Sequence, residues 1–154
     1  MNLVATEIGY FGPAILLLIL LLKIKHTYKF FFLLLFVLIN ETSNRIFKYL
    51  IQQPRPTGIT YINSWDTHPT SSYGMPSGHA QNAAAATIFL ILYTKNPLIA
   101  VYAICQTFLT MYQRYFYKKH TTHQIICGGI IGIIMGSLYY LILQVNTPPP
   151  PDST

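Results

Sequence analysis

Phe30-Phe31-Phe32-Leu33-Leu34-Leu35-Phe36 is an unbroken apolar run that opens just after Lys29. It continues through a polar patch, Asn40 to Arg45, to about Ile51, and Pro54 and Pro56 then close it. Proline brings no backbone N–H and clashes with the preceding turn, so a helix ends where two of them follow. The segment has the ~20 residues that a bilayer-spanning helix needs. It also ends in charge, with Lys48 and Arg55 at the boundary. Cations beside an apolar span cost free energy, which makes them functional suspects.

Working outward, four more candidate membrane helices appear: about Gly9 to Leu22, which is short and holds Pro13; Ser77 to Tyr93, with Ala83 to Ala86 in its middle; Leu98 to Arg114; and Thr121 to Leu143. Asn96-Pro97 reads as a tight turn, and the Thr-, Ser-, Gly- and Asn-rich stretch from Thr57 to Met75 as a loop too polar for lipid. The expected fold is therefore all-α, a polytopic membrane helix bundle with about five transmembrane helices. Its parts are an N-terminal membrane helix and basic connection over 1–28, a core of four membrane helices over 29–144, and a disordered Pro-rich tail over 145–154. Gly128, Gly132 and Gly136 line one face of the last helix at four-residue spacing. Small residues there let a neighbouring backbone approach closely, and packing within the chain is the expected use.

Composition agrees with a membrane protein. The chain is 52% hydrophobic and 9% charged, whereas a soluble domain carries about 25% charged residues. The acids are Glu7, Glu41, Asp66 and Asp152, a poor supply for Mg or Ca, which need several oxygen ligands. The net charge of +6 is scattered between apolar runs and forms no phosphate-tracking face for nucleic acid. No basic leader or small-residue cleavage site marks a signal peptide, so the first helix is expected to remain as an anchor. Cys105 and Cys127 fall inside apolar runs and read as small core hydrophobes.

Three strings carry the chemistry: Lys48-x6-Arg55-Pro56, Pro76-Ser77-Gly78-His79 and Arg114-x5-His120. Helices two and three flank the long loop, so Arg55 and His79 share one side of the membrane. The stretch from His79 to Arg114 suffices for a helix out, a turn and a helix back. All three strings thus converge on one boundary. Lys23, Lys25, Lys29 and Lys95 lie on the other. With Lys48, Arg55 and Arg114 set aside as chemical, the remaining basic count favours a site facing the lumen or the exterior.

Singly, these residues have plain explanations: Lys48 can snorkel, Arg55 can anchor at headgroups, His79 can cap a helix and His120 can sit at an interface. As an ordered set they suit phosphate. Arg55 and Arg114 offer planar donor forks, and Lys48 a point charge. Ser77 and Gly78 begin a helix, where backbone N–H groups and the macrodipole favour an anion. His120 can attack phosphorus, and His79 can protonate the leaving oxygen and then act in reverse as a base, with no metal or cofactor.

These strings resemble the three signature motifs of the type 2 phosphatidic acid phosphatase and vanadium haloperoxidase superfamily, over about Asn40 to Gly136. The first two match fully and the third in part. The resemblance implies that Lys48, Arg55, Ser77, Gly78 and Arg114 bind substrate phosphate, that His79 is the general acid and that His120 is the nucleophile. Gln113 stands where the family usually has Ser, and Gln124 where it usually has the Asp that orients the nucleophile. Positions 120 and 124 share a helix face, so Gln124 can accept the ring N–H, although it brings no negative charge. Asp66 is not assigned to that task, and His123 has the wrong spacing from Arg114.

Asn40-Glu41-x2-Asn44, Ile51-Gln52-x-Pro54-Arg55-Pro56, Tyr73-Gly74-Met75-Pro76-Ser77-x-His79-x-Gln81 and His120-Thr121-x2-Gln124 with Gly128-Gly129 resemble the dolichyl-diphosphate phosphatase branch, which also tends to have Gln after the nucleophile. Glu41, Asn44 and Lys48 recur on one helix face, either as a buried polar stripe or as groups that orient Lys48. The expected function is a membrane-embedded, metal-independent hydrolase that removes phosphate from a lipid diphosphate, polyprenyl or dolichyl, through a phosphohistidine. The rivals are a broad lipid phosphate phosphatase taking phosphatidate-type substrates, and a non-catalytic lipid-phosphate-binding protein. Expected partners are the lipid diphosphate and membrane lipids, not nucleic acid, and no oligomeric state is assigned. In a eukaryote the resemblance implies a multi-pass protein of the endoplasmic reticulum membrane with a lumenal site.

Overall fold

The computed structural model describes residues 3–61, 66 and 73–146. Among them all regular structure is helical: α1 (Leu3–Lys23), α2 (Thr27–Ile51), α3 (Gly78–Thr94), α4 (Pro97–Phe116) and α5 (Thr122–Val145). Four of the five match the helices expected from sequence to within three residues at each end, the largest difference being α2, which starts at Thr27 and not after Lys29. α1 starts six residues before the expected Gly9, with Pro13 inside it. Most of the expected loop centre (62–65 and 67–72) and residues 147–154 of the expected tail lie outside the described residues.

Each helix end has a local cause. The α2 chain stops at Gln52, which turns into the left-handed region (φ 51°) and returns its N–H to the Lys48 carbonyl. Asn96 caps α4 by accepting the N–H groups of Leu98 and Ile99, with Pro97 at the first helical position. Thr121 and Gln124 form a reciprocal capping box at the start of α5.

α3 is the centre of the bundle, packing against each of the other four helices and most extensively on α5. It is apolar nearly all round, with Ala80, Ala83 to Ala86, Phe89 and Leu90 all buried, as a core helix should be. The α3–α5 contact is close because α5 presents glycine. A Cβ on Gly132 would lie 2.2 Å from the Gln81 carbonyl oxygen, and one on Gly136 would lie 2.5 Å from that of Ala85. The glycine stripe thus packs inside the chain, as expected. α1 uses the same device on α4: a Cβ on Gly12 would meet Thr110 Oγ1 at 2.0 Å.

α1, α2 and α5 are each long and apolar enough to cross a membrane. Their outward faces expose Leu18, Leu34, Leu38, Ile130, Ile134 and Leu141, an apolar surface suited to lipid rather than water. α4 turns Gln106, Thr107, Thr110, Gln113 and Arg114 inward, and all five are buried. The cysteine expectation needs correcting. Cys105 is exposed and Cys127 is only half-buried. An apolar run in a membrane helix has a lipid-facing side as well as a packed one, so hydropathy alone does not mark the core.

Candidate active site

The three strings meet at one end of the bundle. Just past the end of α2, Arg55 reaches the α4–α5 connection, where its Nη1 donates to the Lys119 carbonyl at 3.0 Å and lies 3.3 Å from His120 Nε2. The start of α3 is tied to α5 by the Ser77 N–H, which donates to the Gln124 carbonyl at 3.0 Å. Lys48, in the last turn of α2, donates to the carbonyls of Pro76 (2.6 Å) and Tyr73 (3.2 Å). Its ammonium therefore straps the segment leading into α3, using two of its three protons. Asn44, one turn earlier, donates to Gln81 Oε1 at 2.8 Å and reaches the same Pro76 carbonyl at 3.4 Å. Asn44 and Lys48 of the polar stripe thus both tie α2 to the segment that leads into α3.

His120 is buried, and its two ring nitrogens face different chemistry. Nδ1 lies 2.8 Å from the Gly74 carbonyl oxygen and 3.3 Å from Gln124 Oε1, both acceptors. Nε2 faces the Arg55 guanidinium, a donor that cannot accept. These partners assign the proton to Nδ1 and leave the Nε2 lone pair pointing at the cationic side. Burial, then the charges of Arg55 and Lys48, hold the imidazole well below its usual pKa of 6.5, against the opposing bond to Gln124. The ring is neutral at neutral pH.

Gln124 is itself anchored. Its Nε2 donates to Pro54 O at 2.8 Å and to Gln53 Oε1 at 3.1 Å, while Oε1 also accepts the Thr121 N–H. It touches His120 as expected, but the shorter bond to the ring comes from Gly74, which sequence reasoning passed over. A Cβ on Gly74 would lie 2.6 Å from the Gln124 amide, so the segment before Pro76 can approach Gln124 this closely only as glycine.

Arg114 is fully buried in the last turn of α4. Its Nε donates to Gln113 Oε1 at 2.6 Å, its Nη1 pairs with Asp66 at 3.3 Å, and its guanidinium lies 5.0 Å from the Tyr10 ring centre. Its Nη2 has no partner among the described residues. A buried donor of this kind needs an acceptor, and an anion's oxygen supplies one. Gln113, the departure from the family's Ser, thus serves to orient Arg114. Asp66 also pairs with Lys119 at 2.7 Å, and all three of these ionic side chains are fully buried. Lys119 and Tyr10 are therefore parts of the site that the motifs did not name.

Ser77 needs a correction. Its N–H is already committed to Gln124, and its Oγ caps α3 by accepting the Ala80 N–H at 3.4 Å, so the hydroxyl proton, not the amide, is what it can offer an anion. Gly78 follows as the first residue of α3, as expected. His79 is half-buried in the same turn, 5.3 Å from the Tyr10 ring. It lines a cavity of about 200 Å³ beside α1, whereas His120 lines a wider one of about 490 Å³ with Pro56, Tyr115 and Phe116. His123 is exposed on α5.

The profile of the PAP2 superfamily matches residues 29–148. The chain belongs to the PAP2 superfamily. It is similar to "Dolichyldiphosphatase 1" of Rhinolophus ferrumequinum, 31% identical over 131 residues that make up 73% of this chain and 52% of that protein. The "Dolichyldiphosphatase" of Saccharomyces cerevisiae is also 31% identical, over 70% of this chain and 49% of its own. A "Lipid A 4'-phosphatase" of Bacteroides thetaiotaomicron is 32% identical over 51% of this chain and 38% of its own. This PAP2 chain spans about half the length of the dolichyldiphosphatases it matches. Among solved structures, a transmembrane PAP2 type phosphatidylglycerolphosphate phosphatase from Bacillus subtilis shares the fold, with a TM-score of 0.70 over 94% of this chain and 77% of that one at 21% identity.

Proposed function

We propose that this PAP2 protein is a membrane phosphatase that removes the terminal phosphate of a lipid diphosphate, polyprenyl or dolichyl, through a phosphohistidine. The observation that carries the reading is the polarity of His120, with Nδ1 held by two acceptors and an unprotonated Nε2 that faces the Arg55 guanidinium. In the proposed reaction His120 Nε2 forms a bond to the terminal phosphorus. The P–O bond to the lipid phosphate breaks, and protonated His79 gives its proton to that oxygen. Gly74 and Gln124 hold the Nδ1–H as the ring becomes a cation. Arg55, Arg114 and the remaining proton of Lys48 take up charge on the phosphoryl oxygens. Neutral His79 then removes a proton from water, whose oxygen attacks phosphorus. The N–P bond breaks, inorganic phosphate leaves and His120 is restored.

The choice of a lipid diphosphate follows the dolichyldiphosphatases that the chain resembles. The lumenal or exterior orientation follows the distribution of basic residues. In a eukaryotic cell the corresponding place is the endoplasmic reticulum membrane. A second reading, a phosphatase of other lipid phosphates, is favoured by the similarity to a lipid A 4'-phosphatase. Phosphate release by the purified chain from dolichyl diphosphate and from phosphatidate, with His120→Ala and His79→Ala as controls, decides between them. The first reading expects dolichyl diphosphate to be preferred and each alanine variant to lose at least about 10²-fold in rate. Full activity in either variant would sink the histidine mechanism.

A further inference from the structure

A tyrosine near the end of a membrane helix is commonly an anchor at the headgroups. On α1 the exposed aromatic is Phe11, and Tyr10, one position earlier, is half-buried. The Tyr10 ring turns toward two other helices. Its centre lies 5.0 Å from the Arg114 guanidinium on α4 and 5.3 Å from the centre of the His79 ring on α3. Phe11 packs against it in a T-shaped contact at 4.9 Å. Tyr10 and His79 also line the same cavity of about 200 Å³. One ring on α1 thus touches both the arginine that would hold a phosphoryl oxygen and the histidine that would protonate the leaving oxygen.

The register of α1 is locked on both sides of that ring. Before it, Thr6 Oγ1 lies 2.8 Å from the Tyr117 hydroxyl, and Gln106 Nε2 donates to the Ile8 carbonyl at 2.8 Å. Beside it, a Cβ on Gly9 would lie 2.9 Å from Gln113 Cβ, and after it Gly12 abuts Thr110. All four contacts lead to α4 or the turn that follows it, so α1 cannot slide or rotate without breaking them. Gln113 is also the residue whose Oε1 accepts the Arg114 Nε–H. α1 therefore constrains the guanidinium both through Gln113 and through the ring of Tyr10.

We infer that Tyr10 is a positioning residue whose ring sets the placement of His79 relative to Arg114. The inference rests on the phosphate-binding role proposed for Arg114 and the acid role proposed for His79. The bonds of Arg114 to Gln113 and Asp66 run along the guanidinium plane, and the Tyr10 ring limits its tilt out of that plane. Its unpartnered Nη2 is thereby aimed. An aromatic face attracts a cation within roughly 6 Å, and protonated His79 is a cation of this kind. The same ring holds two positive groups that would otherwise repel each other. Proper spacing of the two matters because catalysis by oriented groups is lost with displacements near 1 Å. α1 precedes the segment that the family profile matches, so this residue comes from outside that segment.

The test uses the full chain in detergent and orthovanadate, which mimics the transferring phosphoryl group, titrated by calorimetry. In parallel, kcat is measured on C15 prenyl diphosphate. Tyr10→Leu should lose about tenfold or more in both vanadate affinity and kcat. Tyr10→Phe should recover both to within about threefold of the native chain, because the ring and not the hydroxyl makes the two contacts. Leu18→Ala, on the lipid-facing side of α1, should change neither. Tyr10→Met fills the same space without a ring and should show the same loss where Tyr10→Leu fails to fold. In a His79→Ala background the vanadate loss caused by Tyr10→Leu should shrink, since one of the ring's two partners is gone. An equal loss in both backgrounds would reduce Tyr10 to packing and overturn the inference. So would native affinity in the Leu and Met variants, a loss in Tyr10→Phe as large as in Tyr10→Leu, or no vanadate binding by the native chain. Ring-dependent vanadate binding in a chain that hydrolyses no diphosphate would support the inference and sink the hydrolase reading. Hydrolysis that is indifferent to Tyr10 would do the reverse.

Discussion

The Nδ1 nitrogen of His120 lies 2.8 Å from the carbonyl oxygen of Gly74, closer than its 3.3 Å approach to Gln124. A backbone carbonyl fixes the tautomer here, and the neutral Gln124 shares that work. Gln124 also carries the bonds to Gln53 and Pro54 that hold the chain before Arg55. An Asp at this position would be one methylene shorter and would lose both amide donors.

Gln124→Asp should therefore lower kcat rather than raise it, despite restoring the charge usual in the family. We expect a fall of about 10–100-fold, the size of effect seen when a group that orients a metal-bound histidine is lost. Gln124→Ala should fall by a similar factor, while His120→Ala loses more. Steady-state kinetics on the three proteins check the order, and an Asp variant faster than the native chain would contradict it.

Acid should destabilise the protein through His120. Its folded pKa lies well below 6.5, whereas the unfolded chain takes up a proton near that value. As pH falls below 6.5 the unfolded state binds a proton that the folded state refuses, so stability drops until the folded pKa is reached. Melting temperatures in detergent between about pH 7 and 5 should fall further for the native chain than for His120→Asn. Parallel curves would count against a neutral buried His120. The activity limb due to this ring should likewise lie well on the acid side of 6.5.

Asp66 pairs with two fully buried cations, Arg114 and Lys119. Removing one partner of a buried ion pair leaves uncompensated charge and costs about 3–5 kcal/mol. Asp66→Asn should thus melt at markedly lower temperature. An anion that reaches Arg114 would replace part of the lost charge, so added phosphate should raise the variant's melting temperature more than the native protein's. Equal shifts in the two would argue against an anion site at Arg114.

Gly128 meets the backbone of Ser77: a Cβ there would lie 2.5 Å from the Ser77 carbonyl oxygen. Gly128→Ala must push the start of α3 away from α5, moving Ser77 and His79 relative to His120. A loss of about 10²-fold in kcat is expected from a displacement near 1 Å. The comparison is Ile130→Ala on the lipid-facing side of α5, which should change kcat little. Equal rates for the two variants would remove the argument for this contact.

Much of the architecture was legible locally. Hydropathy, prolines and caps act within a few residues, so α2 to α5 could be bounded from the string around them, and the turn at Asn96-Pro97 returned Arg114 to the side of Arg55. α1 extends further toward the N-terminus than its local signal indicates, because Pro13 and Gly9 weaken helical signal in isolation. In the bundle Gly9 and Gly12 are the close-packing surface against α4. Likewise the motifs named Lys48, Arg55, Arg114 and His120, which are recognisable by type and spacing.

The sequence by itself determined the helices, the shared boundary of the three strings and the residue types able to handle phosphate. Tertiary structure alone decided that Gly74 supplies the main bond to His120, that Asp66 and Lys119 surround Arg114, that Tyr10 comes in from α1, and that Ser77 gives its N–H to Gln124. The physical reason is the same in each case. These are bonds between groups far apart in the chain, and a backbone carbonyl has no identity in a sequence until folding points it at a partner.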